Sequence, residues 1–136
     1  MSKVVDTCVL LDILDGDSDF STTSAVALNR YVREGLVIAP ISYIELAPAF
    51  LGDKANQDEF LSRLDIHLPP FFDRAALYHA HFAWYRHIAA KRNGLAIKRP
   101  IADVLIGALA VEYGGLITRN PKDFSSLYPD LEIIVP

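Results

Sequence analysis

Residues 4–14 read VVDTCVLLDIL, and this stretch decides the fold class that the sequence predicts. Val4 and Val5 are typical of a buried strand, which Asp6 ends. Apolar residues then recur at helical spacing over 7–14, so a helix follows the strand directly. A short apolar strand joined to an amphipathic helix is the first half of a parallel α/β unit.

The same alternation of strand and helix continues along the chain. Further helices are expected at 24–34, from residue 42 to Pro48, at 58–64, 73–91 and 101–113. Further strands are expected at 36–39, 66–68, 116–118 and 133–135. Parallel strands separated by helices form a sheet that is covered on both faces. The sequence therefore predicts one domain over residues 1–136, a three-layer α/β/α fold with a mainly parallel central sheet of about five strands.

Composition restricts the classes of function. The chain is 51% hydrophobic with a net charge of -4, which is typical of a globular protein and not of a disordered one. Its longest apolar run, 104–111, is far shorter than the roughly 20 residues that cross a bilayer. Asp6 comes too early for a secretory leader. Cys8 is the only cysteine, so the chain has no disulfide framework and a cytoplasmic location is expected.

Basic residues are concentrated in one stretch of this acidic chain. Residues 86–99 contain five of them and no acid, namely Arg86, Lys91, Arg92, Lys98 and Arg99. Such a stretch can hold a phosphate backbone locally. Judged alone, it is more typical of a solvated helix face and loop.

Four acids are candidates for chemistry, and each also has a purely structural interpretation. Asp6 could cap the first helix, and Glu45 completes a capping-box pattern with Ser42. Asp103 complements the dipole of the helix that it begins. Asp123 could cap a short turn.

The surroundings of these acids favour a shared site. Asp6 and the 119–123 turn both follow strand carboxyl ends, where parallel sheets form their functional crevice. Asp103 begins the most apolar helix, on which the small residues Gly107 and Ala110 are expected to leave space in front of its carboxylate. Converging acids raise one another's pKa unless a cation lies among them, and oxygen ligands suit Mg²⁺ or Mn²⁺.

Other chemistries lack their motifs. No two of the four histidines are spaced i,i+4, and there is no P-loop, dinucleotide fingerprint or nucleophile elbow. Cys8 is expected to be a small core residue, because nothing adjacent would stabilise its thiolate. A receiver-like phosphotransfer domain also gathers acids at strand ends, but the 66–68 strand ends without one.

Four motifs resemble, in order, those of PIN-domain nucleases. They are VVDT at 4–7, PISYIEL at 40–46, PIADVLIGALA at 100–110 and LITRNPKDF at 116–124. The chain length and the last motif look most like the VapC toxins of bacterial toxin–antitoxin pairs. This resemblance implies a homodimeric, Mg²⁺-dependent endoribonuclease, with Mn²⁺ as a possible substitute, that a cognate antitoxin blocks.

The resemblance also assigns roles to residues. Asp6, Glu45 and Asp103 become metal ligands and catalytic residues, with Asp123 as the fourth acid. Further residues are expected to orient a water or phosphate, and these are Thr7, Thr118 and Asn120. Contacts to RNA are expected from Arg119, Lys122, Lys98 and Arg99.

Two departures from the family pattern leave alternatives open. Cys8 stands where many relatives have Asn or Ser, so one polar contact is expected to be missing. Asn120 stands where some relatives have a further acid, so either Asn120 or Asp123 completes the site. A nuclease acting on DNA and a catalytically silent RNA-binding or scaffold module remain the alternative functions.

Overall fold

The computed structural model describes residues 2–69, 72–92 and 100–136. Its strands are β1 (Lys3–Val5), β2 (Leu36–Val37), β3 (Ile66–His67), β4 (Leu116–Ile117) and β5 (Ile133–Ile134). Its α-helices are α1 (Thr7–Asp15), α2 (Ser21–Tyr31), α3 (Pro40–Glu45), α4 (Lys54–Arg63), α5 (Arg74–Arg92), α6 (Ile101–Glu112) and α7 (Pro121–Ser125). Short 3₁₀ helices follow α2 (Val32–Glu34) and α3 (Ala47–Phe50). Lys98 and Arg99 lie outside the described residues, as does the predicted end of the fifth helix at 93–94.

The five strands form one sheet in the order β3-β2-β1-β4-β5, and all four pairings are parallel. The chain runs outward from β1 to β3 and then crosses back to place β4 on the other side of β1. Val4 therefore pairs with Val37 in one direction and with Leu116 in the other. This change of direction creates a crevice between the carboxyl ends of β1 and β4, where parallel sheets bind ligands.

Alternate residues of the sheet belong to two different cores. Val5 and Ile117 pack with α1, α2 and α4, and Val4 and Leu116 pack with α6 and with Phe124 of α7. Helix α5 covers α6 from outside, in a third cluster. The predicted three-layer α/β/α fold with a parallel sheet is confirmed. No helix among the described residues is long and apolar enough to cross a membrane.

Three helices begin earlier in the chain than the sequence pattern indicates. Helix α2 begins at Ser21, not at residue 24, and α4 begins at Lys54, not at residue 58. Asp53 determines the second boundary, because its side chain accepts a hydrogen bond from the Asn56 amide. Helix α3 begins at Pro40, not at residue 42, since proline suits the first helical position and has no amide hydrogen to satisfy.

The expectation that Gly107 leaves space in front of Asp103 is wrong. The space beside Gly107 is filled by side chains from the C-terminal part of the chain. A Cβ atom on Gly107 would lie 2.5 Å from the Tyr128 ring carbon Cδ2 and 3.4 Å from Phe124. Ala110 is likewise fully buried, in the core beneath the sheet. These small residues let α6 pack closely, and they do not open a cavity.

Substitution of Gly107 by alanine is therefore expected to destabilise the protein. Overpacking costs roughly 1–3 kcal/mol, more than the gain of up to about 1 kcal/mol in helix propensity. The Tyr128 ring cannot easily move away, because its hydroxyl donates a hydrogen bond to the Val104 carbonyl oxygen. Urea denaturation measures the change. In a Tyr128→Leu background the same substitution should cost less, and an equal cost in both backgrounds would contradict this account.

Candidate active site

Asp6 is a buried carboxylate at the crevice between β1 and β4. It occupies the cap position of α1, yet its side chain makes no capping hydrogen bond to the second or third helical residue, and only the backbone of Thr7 bonds to it from that helix. The Thr118 hydroxyl donates to Asp6 Oδ2 over 2.7 Å, and the Cys8 thiol lies 3.2 Å from the same oxygen. Two side-chain donors on one carboxylate oxygen orient the group. The capping interpretation of Asp6 therefore does not describe its contacts.

The electrostatic environment raises the pKa of Asp6. Burial is the largest cause, since it disfavours the charged form. Hydrogen bonds from Thr118, Cys8 and the Thr7 backbone oppose this effect, and the negative charge of Asp123 adds to it.

Cys8 contributes a polar contact that the sequence comparison with relatives did not lead us to expect. Burial and the charge of Asp6 raise the pKa of the Cys8 thiol to about 12, so the group is protonated at neutral pH. The Cys8 sulfur accepts a hydrogen bond from the Arg119 backbone amide. The thiol hydrogen is available to donate to Asp6. The expectation of a missing contact at this position is wrong, because a thiol is a weak donor that replaces an Asn or Ser.

Glu45 is exposed at the end of α3 and is connected to Asp6 through the neighbouring residue. The Thr7 hydroxyl donates to Glu45 Oε1 over 2.7 Å and lies 2.9 Å from the Ser42 hydroxyl. Ser42 is fully buried inside α3 and does not cap it. The capping-box interpretation of Glu45 is wrong, since α3 begins two residues before Ser42. Ser42 is a member of this group of side chains that the sequence did not reveal.

The other two predicted acids lie in the first turns of their helices. Asp103 is the third residue of α6 and Asp123 the third residue of α7, and both are half-buried. Helix α6 packs directly against β1, α3 and α7, which carry or precede the other three acids. The fold thus brings together the elements that hold all four acids at one edge of the sheet.

The remaining predicted residues have different surroundings. Thr118 is fully buried, and Asn120 donates its backbone amide to the Thr118 hydroxyl oxygen over 3.0 Å. Arg119 is paired with Asp12, and Lys122 is exposed. Asp12 was not predicted as a functional residue, although an acid among the apolar residues of the first helix is a signal of a buried ion pair.

The donor chemistry suits a hard divalent cation, because the candidate ligands are carboxylates and the pKa of the buried Asp6 is raised. No three His, Cys, Asp or Glu side chains within 2–69, 72–92 and 100–136 lie close enough to ligate one ion together. The fit to a metal ion therefore depends on the type and charge of the donors and not on a preassembled cage. A cavity of about 570 Å³ lies at the opposite edge of the sheet, around Lys3 and Gly114, and is remote from these acids.

Comparison with known proteins identifies a family model and solved structures of similar fold. The family model described as PIN domain matches residues 3–128. The fold is similar to the solved structure of VapBC2 from Rickettsia felis bound to a DNA fragment from its promoter. That match has a TM-score of 0.71 and 18% identity, and it covers 99% of this chain and 98% of the other. FitAB bound to the IR36 DNA fragment is similar with a TM-score of 0.67 and 19% identity, over 100% and 95% of the two chains. None of the curated protein sequences compared matches this chain.

The raised pKa of Asp6 makes the stability of the protein depend on pH. Because the folded state binds this proton more tightly than the unfolded state, stability is highest below the unfolded pKa of 3.8 and falls as pH rises through the folded pKa. Asp6→Asn should therefore raise the free energy of unfolding at pH 7 in chelator. The gain should shrink as pH falls towards 4, as measured by urea denaturation.

Asp58 is a control for which the opposite change in the free energy of unfolding is expected. Its carboxylate is held by Lys54 and Tyr43, which lower its pKa. Asp58→Asn should lose stability at pH 7, and that loss should disappear at low pH. A loss of stability at pH 7 in Asp6→Asn would show that the hydrogen bonds to its carboxylate outweigh the cost of burying its charge.

Proposed function

The chain belongs to the PIN domain family, and from that premise we propose that it is a metal-dependent endoribonuclease, the toxin of a toxin–antitoxin pair. PIN domains are in general nucleases. The observation that carries the proposal is the buried carboxylate of Asp6 at the β1–β4 crevice. Burial and the charge of Asp123 both disfavour its ionised form, and a bound cation would favour that form. We take residues 1–136 as one such domain.

Four acids would hold Mg²⁺ or Mn²⁺ in this proposal: Asp6, Glu45, Asp103 and Asp123. When bound, the ion lowers the pKa of a water and neutralises charge on the phosphate. The Thr118 and Cys8 hydrogen bonds orient Asp6, and the Thr7 hydroxyl orients Glu45. Asp123 completes the site better than Asn120, because its charge acts on Asp6. We assign contacts with the RNA backbone to Lys122, which is exposed beside Asp123. We assign the same role to Lys98 and Arg99.

We propose a cognate antitoxin as the protein partner. The two solved structures described above are toxin–antitoxin complexes with DNA, which supports such a partner here. Exposed apolar side chains on and after α3, the helix that carries Glu45, also support it. Ile44, which precedes Glu45, is 65% exposed, and Leu51 after the following 3₁₀ helix is 95% exposed. A partner that covers Glu45 would also remove these apolar groups from water.

The distribution of side chains on α5 supports the proposed homodimer. The fully packed positions of the helix are all alanines, namely Ala76, Ala80 and Ala83, and half-buried Trp84 packs beside them. The opposite face carries large apolar residues that are more than half exposed, and these are Leu77, Tyr78, Phe82 and Tyr85. A solvated helix shows the reverse arrangement. An uncharged aromatic strip suits an identical strip on a second copy, since a homodimer interface needs no charge complementarity.

The first test of this function is cleavage of RNA. The protein should cut single-stranded RNA with Mg²⁺ or Mn²⁺, and a chelator should abolish the activity. Asp103→Asn keeps the shape of the side chain but removes its charge, so kcat should fall roughly 100-fold, which corresponds to about 2.7 kcal/mol on the barrier. Asp65→Asn is the matched control, because Asp65 is exposed in a left-handed conformation that asparagine tolerates.

Three outcomes would contradict the proposal. Equal cleavage of DNA would change the substrate class. Full activity in chelator would show that the reaction needs no metal ion. If the protein bound RNA but cleaved none with any metal ion, it would be a catalytically silent RNA-binding module.

The second test concerns assembly. Tyr85→Glu places a charge on the aromatic strip and should convert a dimer to a monomer at micromolar concentration, as measured by analytical ultracentrifugation. Val26→Glu on α2 is the matched control, because Val26 is similarly exposed but lies on a different helix. A wild-type monomer, or a dimer that Tyr85→Glu leaves intact, would show that the strip has another use.

A further inference from the structure

Arg119 is held by the protein, although the sequence predicted that it contacts RNA. Its Nε and Nη2 atoms donate to the two carboxylate oxygens of Asp12, over 2.6 and 2.9 Å. The Asp12 side chain is 6% exposed, and the Phe20 ring covers the guanidinium at 4.7 Å. A bidentate pair of this kind fixes orientation as well as charge. The side chain of Arg119 is therefore directed at α1 and not at the crevice.

The hydroxyl of Thr118, the preceding residue, makes two close hydrogen bonds and lies 3.8 Å from the Cys8 sulfur. Its oxygen accepts the backbone amide of Asn120 over 3.0 Å. Its single hydrogen is then free for the Asp6 carboxylate, 2.7 Å away. The backbone amide of Thr118 donates to the Ile134 carbonyl oxygen and anchors the residue to β5. The bond to Asp6 thus depends on the local path of residues 118–120.

The Arg119 backbone makes a second connection to the same carboxylate. Its amide donates to the sulfur of Cys8, whose thiol lies 3.2 Å from Asp6 Oδ2. Residues 118–120 therefore contact α1 at two places. One is the beginning of the helix, at Asp6 and Cys8, and the other is Asp12, more than one turn further on.

We propose that the Arg119–Asp12 ion pair clamps residues 118–120 onto α1 and so determines which oxygen of Asp6 receives the Thr118 and Cys8 hydrogen bonds. Arg119, Asp12 and Thr118 are then positioning residues. Neither of these two hydrogen bonds occupies the other carboxylate oxygen, Oδ1. This inference rests on the nuclease function proposed above, since it explains how the central acid of that site is oriented.

The geometry explains why a buried ion pair is placed here. Asp12 is removed from water, so without Arg119 it would be an unpaired buried charge. Loss of the ion pair would also displace Thr118, because Thr118 and Arg119 are adjacent in the chain. Groups that orient a ligand or catalytic side chain commonly change activity about 10- to 100-fold when they are removed.

Asp12→Asn is the principal test, because it removes the charge and keeps the shape of the side chain. Amide hydrogen exchange by NMR reports on the clamp without any need for activity. The amides of Arg119 and Asn120 should exchange at least about tenfold faster than in the wild type. In RNA cleavage, kcat should fall about tenfold while KM and RNA affinity stay within about twofold. Arg119→Gln and the double variant should behave like Asp12→Asn, since both remove one shared interaction.

Arg63→Gln is the matched control. It removes an exposed ion pair with Glu59 on α4, far along the chain from the site, and should change neither exchange nor kcat. If Arg119→Gln does not fold because Asp12 is left unpaired, Asp12→Asn alone decides the question.

Two results would overturn the inference. The first is unchanged exchange at Arg119 and Asn120 in Asp12→Asn. The second is a normal kcat in Asp12→Asn together with weaker RNA binding in Arg119→Gln, whose log–log salt dependence would be flatter by about 0.7, as for a lost phosphate contact. If the wild type cleaves no RNA, the proposed function fails, and the exchange rates still decide whether the clamp exists.

Discussion

Strand β1 is hydrogen-bonded to β2 along one edge and to β4 along the other, and the site described above follows from that placement. Val4 and Val5 are completely buried, each in a different core. The residue after them must therefore leave the sheet at its centre, between two neighbouring strand ends. Asp6 is that residue, and Thr118 leaves β4 beside it. Parallel pairing in this strand order thus places a carboxylate and a hydroxyl in contact across 112 positions of chain.

A carboxylate at this position is unfavourable for stability unless it is compensated. Burial raises the pKa of Asp6, and the hydrogen bonds from Thr118 and Cys8 reduce that effect without removing it. The charge of Asp123 acts in the same unfavourable direction as burial. Conflicts of this kind between local chemistry and stability are typical of functional sites. The arrangement is understandable if the acid has a role that a neutral residue could not perform.

Exposed apolar side chains are unevenly distributed over the molecule. Helix α5 buries alanines and exposes Tyr78, Phe82 and Tyr85, whereas α6 beneath it is buried throughout Ile106–Ala110. Close packing of the two helices requires small residues on α5, just as close packing of α6 against Tyr128 requires Gly107. Large residues that would normally fill a core are therefore available on the outside of α5. The acid crevice and this aromatic strip lie on different elements, so the proposed nuclease site and the proposed dimer interface would be separate.

The order of strands and helices, the parallel sheet and the family could all be predicted from the sequence, because hydrophobic periodicity and short motifs are local properties of the chain. The same motifs named the four candidate acids, whose role as ligands stays a prediction. The predicted first residues of the helices were less accurate. A capping residue such as Asp53, or a proline at the first helical position such as Pro40, is a weak signal before the backbone is known. Only the tertiary structure decided the contacts between residues that are distant in sequence. These include the pairing of Arg119 with Asp12, the thiol of Cys8 on Asp6, the hydroxyl of Thr7 on Glu45, and the Tyr128 ring beside Gly107. Each depends on the relative placement of two elements to within about an ångström, and no pattern within one segment specifies that placement.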